Sequence, residues 1–230
     1  MRDVLANPHA RVLLTVFFVQ RMGTAAVTTL IPFLTRYQMG DPTILTPLMG
    51  IVFGISILTI PIWIRLGNHF EKKSLVTVSM VLVGLVFGLL GFIGKDQLSY
   101  AIALGALAGV GIGGLDVLLP SIQADVIDYD ELRSGERKEG VYFAAWHFVD
   151  KTSIAISVAM VGFLLSASGF VAGQEQSAQT LSALRALSGG IPMVCFCTGL
   201  LLFLRFRLTR GEHAKIRSQI DRRRFESSSG

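Results

Sequence analysis

The sequence predicts an all-α transmembrane protein, a bundle of six spanning helices, and three observations lead there. Hydrophobic residues make up 51% of the 230-residue chain and charged residues only 16%, against the ~25% charge of a typical soluble chain; the mean hydropathy is +0.57. The charge is gathered in short clusters between apolar runs of about twenty residues, enough to cross a ~30 Å hydrocarbon core as helix. Those runs do not alternate apolar with polar residues, so they are not the strands of a membrane barrel. Two cysteines exclude a disulfide framework and a zinc module.

The elements follow in order. A linker is expected over 1–11 and the first span over 12–34. The basic start followed by an apolar run imitates a signal peptide, but the run is long, contains Arg21 and lacks a small-x-small cleavage site, so it is read as a retained span. Gly40-Asp41-Pro42 then breaks the chain before a second span over 44–66, which Gly67-Asn68 ends. The third span, 74–94, stops at Gly94-Lys95-Asp96. The fourth, 100–123, carries Ala101, Gly105, Gly109 and Gly113 as a stripe of small residues, which allows close helix contact. Ser134-Gly135 precedes a fifth span over 141–166, and the polar stretch from Gly169 to Gln179 precedes a sixth over 186–204. A basic tail occupies 210–230. Pro32, Pro61, Pro120 and Pro192 lie inside spans and predict kinks or helix ends, which neighbouring helices make tolerable.

The basic residues fix an orientation. With the N-terminus inside, sixteen of the 21 Lys and Arg residues fall in inner segments and three (Arg36, Lys95 and Arg185) in outer ones; Arg21 and Lys151 lie within spans. Both termini and the segments 67–73 and 124–140 are therefore expected on the cytoplasmic side of the cytoplasmic (inner) membrane. The pI near 9.5 follows from this asymmetry, and the dispersal of the basic residues argues against a nucleic-acid partner. Membrane lipid is the expected surround.

Four ionisable residues stand at membrane depth: Arg21, Asp116, Asp150 and Lys151. Such groups are costly unless paired or wet, which makes each a candidate site residue, with a structural salt bridge as the plain alternative. Counted from their span ends at ~1.5 Å per residue, Arg21, Asp116 and Asp150 sit about 10–14 Å deep and form one layer. Asp116 is expected to neutralise Lys151, and Asp150, about 100° away from Lys151 around its helix, is expected to face a neighbour such as Arg21. His147, at i, i+4 from Lys151, is read as a packed or cavity-edge imidazole. Cys195 and Cys197 point to different faces of an apolar helix and are not read as metal ligands; no metal site or cofactor is expected. Trp63, Tyr37 and Tyr100 lie near span ends, as interfacial anchors do. No Ser/His/Asp or metal-ligand spacing is present among the spans, so an enzyme is not expected.

The most specific pattern lies between the fourth and fifth spans. Six acids and three bases fall between Asp125 and Glu139. A solvated loop would explain the composition, but the order of residues is informative: Ala124-Asp125, Asp128-Tyr129, Glu131, Arg137 six residues on, Glu139, and Lys151 fourteen after Arg137. This order resembles the cytoplasmic signature of the glycoside–pentoside–hexuronide:cation symporter family of the major facilitator superfamily, the melibiose-permease-like carriers. Asn7-Pro8, Gly169-Phe170, Arg185, Pro192, the run Arg205-Phe206-Arg207-Leu208-Thr209 and Glu212-His213 resemble further parts of that family. The basic turn Arg65 to Lys73 matches the superfamily partially, Glu71 standing where glycine is common.

What the resemblance implies is the C-terminal half of a twelve-helix major facilitator fold, one wall of a cation-coupled secondary transporter that imports a sugar or glycoside with Na⁺ or H⁺ by alternating access. It supports Lys151 beside a substrate and coupling pathway, to which depth alone adds Asp116, Asp150 and Arg21; Trp146, deeper than the interfacial aromatics, is a ring for stacking on sugar or, more simply, part of the core. It makes Asp125, Asp128, Tyr129, Glu131, Arg137 and Glu139 a cytoplasmic gate that pairs across the interface with the other half. The coupling-cation carboxylates are expected mainly in the missing N-terminal half. That half, or a second copy of this chain, is the expected partner; the rival reading is a truncated or accessory membrane protein that does not transport.

Overall fold

The computed structural model describes residues 2–228. The ends of the expected linker and tail, Met1 and Ser229-Gly230, lie outside the described residues, as do the side chains of Arg2, Arg223 and Arg224, three of the sixteen inner cations. Among the described residues there are eight α-helices: α1 (Arg2–Ala6), α2 (Pro8–Phe33), α3 (Leu45–His69), α4 (Lys72–Leu89), α5 (Leu98–Ser134), α6 (Glu139–Ala167), α7 (Ala178–Phe203) and α8 (Arg210–Ser228). Six of these elements, α2 to α7, are long and apolar enough to cross a membrane.

The helices start and stop where local chemistry dictates. Asn7 caps α2, its Oδ1 accepting from the backbone N–H groups of His9 (3.0 Å) and Ala10 (3.3 Å), with Pro8 pre-set for the first helical position. The first long helix thus begins at Pro8, inside the expected linker. A π-helical turn, Leu34–Gln38, follows Pro32. The expected break at Gly67-Asn68 is absent: α3 runs on to His69. The acidic segment expected as a loop is helical through Ser134, because Asp, Glu, Leu and Arg carry no helix breaker until Gly135. There the backbone turns left-handed (φ 77°), a conformation glycine adopts without a Cβ penalty, and its N–H closes on the Glu131 carbonyl.

The packing has an internal symmetry. α2 packs on α6 and α7, α5 packs on α3 and α4, and α4 packs on α7. Exchanging the unit α2–α3–α4 with α5–α6–α7 maps each of these contacts onto another member of the set. An odd number of spans per unit makes the two units inverted, the arrangement of internal repeats in secondary transporters. The α3–α5 contact is close because the small-residue stripe faces it: a Cβ on Gly109 would lie 2.6 Å from the Val52 carbonyl oxygen, and one on Gly113 2.5 Å from that of Ser56. Trp63 is a correction to the expectation of an interfacial anchor. It is buried at this contact and its Nε1 donates to the Val110 carbonyl at 2.9 Å, because α3 extends well beyond it.

The symmetry-related helices α3 and α6 are the least buried spans. Each presents large apolar side chains outward, Phe53 and Leu58 on α3 and Phe148 and Phe163 on α6. The terminal helices α1 and α8 pack against α6 and α5 at one end of the bundle, here termed the basic end.

Candidate functional site: a mid-span charge layer and a latch at the basic end

Arg21 on α2 and Asp150 on α6 form an ion pair, Nε to Oδ1, at 2.6 Å. The guanidinium also lies 5.7 Å from the centroid of the Phe17 ring, a cation–π distance. The other oxygen of Asp150 faces the Lys151 ammonium at 3.4 Å, while the Lys151 side chain is 77% exposed. One carboxylate thus serves two cations. Asp116, on α5, makes no hydrogen bond or ion pair among the described residues. The expected Lys151–Asp116 pair is therefore replaced by Lys151–Asp150. α6 packs on α2, whereas α5 packs on α3 and α4, so Arg21 rather than Lys151 is the cation that lines the same cavities as Asp116. Trp146 is buried, its ring 6.4 Å from that of Phe17, and His147 is exposed.

Two cavities meet at this layer. One, of about 180 Å³, runs between α2, α3, α4 and α5 and is mostly apolar, with Leu48, Val52 and Phe87 in its wall. The other, of about 210 Å³, lies between α2, α5 and α7. Arg21, Thr24, Ile112 and Asp116 line both. The second cavity also contains Gln20, which the sequence reading passed over. Gln20 is 3% exposed and neither of its amide atoms has a partner. The signal was available, since an uncharged amide inside an apolar span also needs partners.

At the basic end most of the acidic segment is engaged within this chain, although the buried Asp130 keeps one carboxylate oxygen, Oδ2, without a hydrogen-bond partner among the described residues. Arg137 contacts Glu139 (2.5 Å), Glu131 (2.8 Å) and Asp128 (3.2 Å). Hydrogen bonds to Glu139 and then Glu131 raise the guanidinium pKa further above its ordinary value. Asp128, buried on α5, also receives His213 Nε2 at 3.1 Å and Arg217 at 3.4 Å, both from α8. Asp125 is held by Lys72 of α4 at 2.7 Å. Tyr129 meets the His9 ring edge-on at 4.7 Å, and His9 in turn meets Phe206 at 5.7 Å. These residues are expected to pair across an interface with another half; within this chain they meet residues of α2, α4, α8 and the α5–α6 turn.

The tail that supplies His213 and Arg217 is anchored by a capping box. Thr209 Oγ1 accepts from the Glu212 N–H (3.3 Å) and Glu212 Oε2 accepts from the Thr209 N–H (2.8 Å). Glu71, where the superfamily pattern has glycine, accepts from the Arg210 N–H at 3.2 Å. Ile216 and Ile220 bury the apolar face of α8. On the other side of the turn, Asn7 Nδ2 donates to the Tyr142 hydroxyl (2.9 Å) and the Val126 carbonyl (3.3 Å), tying the start of α2 to α5 and α6.

Comparison with known proteins agrees with this architecture. A family model described as MFS/sugar transport protein matches residues 1–210. An uncharacterised symporter of Synechocystis is 32% identical over 179 residues, covering 75% of this chain and 33% of the relative. The isoprimeverose transporter of Lactiplantibacillus pentosus is 27% identical over 197 residues, covering 85% and 41%. The glucuronide carrier protein homolog of Escherichia coli is 23% identical over 204 residues, covering 88% and 45%. The chain spans less than half the length of these relatives.

Proposed function

The chain belongs to the MFS/sugar transport protein family, and from that membership we propose that it forms the C-terminal six-helix half of a secondary transporter that carries a sugar or glycoside together with Na⁺ or H⁺. The observation that carries the reading is Lys151: an ammonium in the middle of a spanning helix, 77% exposed and sharing the Asp150 carboxylate, its one ion-pair partner among the described residues, with Arg21. Hydrocarbon does not solvate such a group. The face of α6 that bears it therefore borders a hydrated pathway, and the pathway needs a second wall.

In this reading a second six-helix unit covers the open faces of α3 and α6, with cargo between the units near mid-membrane. Relatives are named isoprimeverose transporter and glucuronide carrier protein homolog, which favours a saccharide cargo. Both termini are cytoplasmic, and the Asp125–Glu139 network forms one side of the inner gate. The coupling carboxylates belong to the other half by resemblance. A second copy of the chain is the alternative wall, supported by the symmetric exposure of α3 and α6.

The test is counter-flow and gradient-driven uptake of labelled saccharides into proteoliposomes, with this chain alone and with a six-helix N-terminal half. Uptake only with both supports the proposal; coupled accumulation by this chain alone establishes the homodimer instead. Absence of uptake in both preparations, with both inserted and folded, leaves the non-transporting reading.

A further inference from the structure

We infer that the basic cavity where the start of α4 meets the junction of α7 and α8 binds the phosphate group of an anionic membrane lipid. The inference goes beyond the transport reading and requires only a membrane-spanning bundle. The cavity has a volume of about 180 Å³, and Lys72, Lys73, Arg210 and His213 line it together with Glu71 and Asp125. Its charges do not cancel. Lys72 is matched by Asp125 at 2.7 Å. Glu71 accepts from the Arg210 backbone N–H at 3.2 Å. Lys73 donates to the Leu204 carbonyl at 3.1 Å, and neither Lys73 nor the Arg210 guanidinium has an ion pair among the described residues. With His213 counted as neutral, three cations face two carboxylates. The excess of one positive charge matches the single negative charge of a phosphodiester, and a free guanidinium suits its paired oxygens.

The backbone strengthens this field. Lys72 and Lys73 are the first two residues of α4, and Glu71, at the N-cap, makes no side-chain capping bond there. Its carboxylate meets the start of α8 instead. The first N–H groups of α4 therefore keep their donor capacity beside the cavity, and such groups at a helix start favour an anion. Arg205 and Arg207, both exposed on the connection that leads from α7 to the cavity, extend the positive field around it.

Position selects a lipid over a soluble phosphate. The cavity lies where three spanning helices end or begin: α3 at His69, α4 at Lys72 and α7 at Phe203. Phe70 and Leu204, next to these ends, carry large exposed apolar side chains. Cations and apolar surface thus stand side by side, as an amphiphile requires. The bond from Lys73 to the Leu204 carbonyl sets Lys73 on the α4–α7 contact, whereas the second six-helix unit is proposed to cover α3 and α6. Lipid therefore reaches Lys73 in the assembled carrier as well. Basic clusters immediately beside a span attract anionic headgroups. A zwitterionic headgroup brings its own ammonium, which Lys73 and Arg210 oppose; phosphatidylglycerol brings none.

The experiment measures thermal unfolding of the chain in phosphatidylcholine nanodiscs with and without phosphatidylglycerol, and native mass spectrometry counts the phosphatidylglycerol retained after detergent extraction. The expected result is a higher unfolding temperature with phosphatidylglycerol and one molecule retained. Lys73→Gln/Arg210→Gln should lose that molecule, with the dissociation constant raised at least tenfold, whereas Lys73→Arg/Arg210→Lys should keep it. Arg133→Gln/Arg222→Gln removes the same charge from exposed positions outside the cavity and should keep it too. The single variants Lys73→Gln and Arg210→Gln, each expected to weaken retention at least threefold, decide the matter if the double variant does not fold. Undiminished retention in the glutamine variants overturns the site. Equal loss in Arg133→Gln/Arg222→Gln reduces the effect to general attraction by the basic end and also overturns it. Inorganic phosphate added to pure phosphatidylcholine discs is the soluble arm: stabilisation equal to that by phosphatidylglycerol keeps a phosphate site but overturns the lipid as its occupant. No response to phosphatidylglycerol overturns the inference and leaves the transport reading untouched.

Discussion

Arg21 Nε lies 2.6 Å from Asp150 Oδ1, joining the first and fifth spanning helices at the depth where Lys151 stands on the opposite oxygen. The arrangement makes Asp150 the hub of the layer. Removing it strands two cations, whereas removing either cation leaves the carboxylate still paired. The expected order of damage to stability is Asp150→Asn greater than Arg21→Gln, and Arg21→Gln greater than Lys151→Ala. The Arg21→Gln/Asp150→Asn double variant should be non-additive by about 0.5–3 kcal/mol, and Lys151→Ala/Asp116→Asn should be additive. Unfolding curves of these five variants and of Asp116→Asn in one detergent check both statements. Coupling between Lys151 and Asp116 with none between Arg21 and Asp150 would reverse the assignment.

Close approach of α3 and α5 gives a second expectation. A methyl group on Gly109 would sit 2.6 Å from the Val52 carbonyl oxygen, a backbone atom that cannot rotate away. Gly109→Ala should therefore push the helices apart and cost about 1–3 kcal/mol, the range for overpacking, despite the better helix propensity of alanine. Gly162→Ala, on α6 where a Cβ meets open space, should be neutral or slightly stabilising. A comparable loss in both variants would show that packing at Gly109 is looser than the geometry requires.

The sequence made the six spans legible because long apolar runs bounded by Gly, Pro and Asp admit few other readings. It also brought Arg21 and Asp150 together by depth alone. Four features escaped it for physical reasons. Helical angles place Lys151 on a face without saying which helix packs there, so Asp116 was assigned to it across a contact that α6 does not make. Charged residues from Asp125 to Arg133 look like a surface loop by composition, yet they are adequate helix formers and α5 continues through them. Gln20 carries no charge and so lacks the cue that marks Arg21 and Asp150 within an apolar span, although a buried amide needs partners for the same reason. The tail was legible only as basic; its docking depends on His213 and Arg217 meeting Asp128 across 85 and 89 residues of chain.

That docking carries a pH dependence through Glu212. Hydrogen bonds from the Thr209 backbone N–H and then its hydroxyl hold this carboxyl below the ordinary glutamate value. A depressed folded-state value means that the cap contributes above the unfolded range near ~4.3 and loses that contribution as pH falls through the folded value. Backbone amides from Thr209 to His213 should exchange faster at about pH 4 than at pH 6 after correction for intrinsic rates. Other carboxylates titrate at this end, so the decisive quantity is the difference between the unsubstituted chain and Glu212→Gln. No difference in the pH response would remove Glu212 from the latch.

Sidedness is tested by the loops opposite the basic end. Reporter fusions after Gly40, Asp96 and Gln176 should read as exterior, and fusions near Phe70 and Gly135 as cytoplasmic, in keeping with the clustering of Lys and Arg at the basic end. An interior signal at two of the first three positions would overturn the orientation.

Lys151 provides the sharpest test of function because its structural role and its proposed transport role separate. Its bond to Asp150 is long, at 3.4 Å, and most of the side chain is exposed, so Lys151→Ala removes little packing and leaves Asp150 held by Arg21. Membrane insertion and the unfolding temperature should change little, as for other exposed pairs worth about 0–1 kcal/mol. Uptake by the carrier assembled from both halves should nonetheless fall to background, because the substituted pathway loses its exposed ammonium while retaining the Arg21–Asp150 pair. Lys151→Arg preserves the charge but not the compact ammonium, and intermediate uptake in that variant would indicate that charge itself is what the pathway uses. Undiminished uptake in Lys151→Ala would make the layer a helix-to-helix brace, with Arg21 and Asp150 as its essential members.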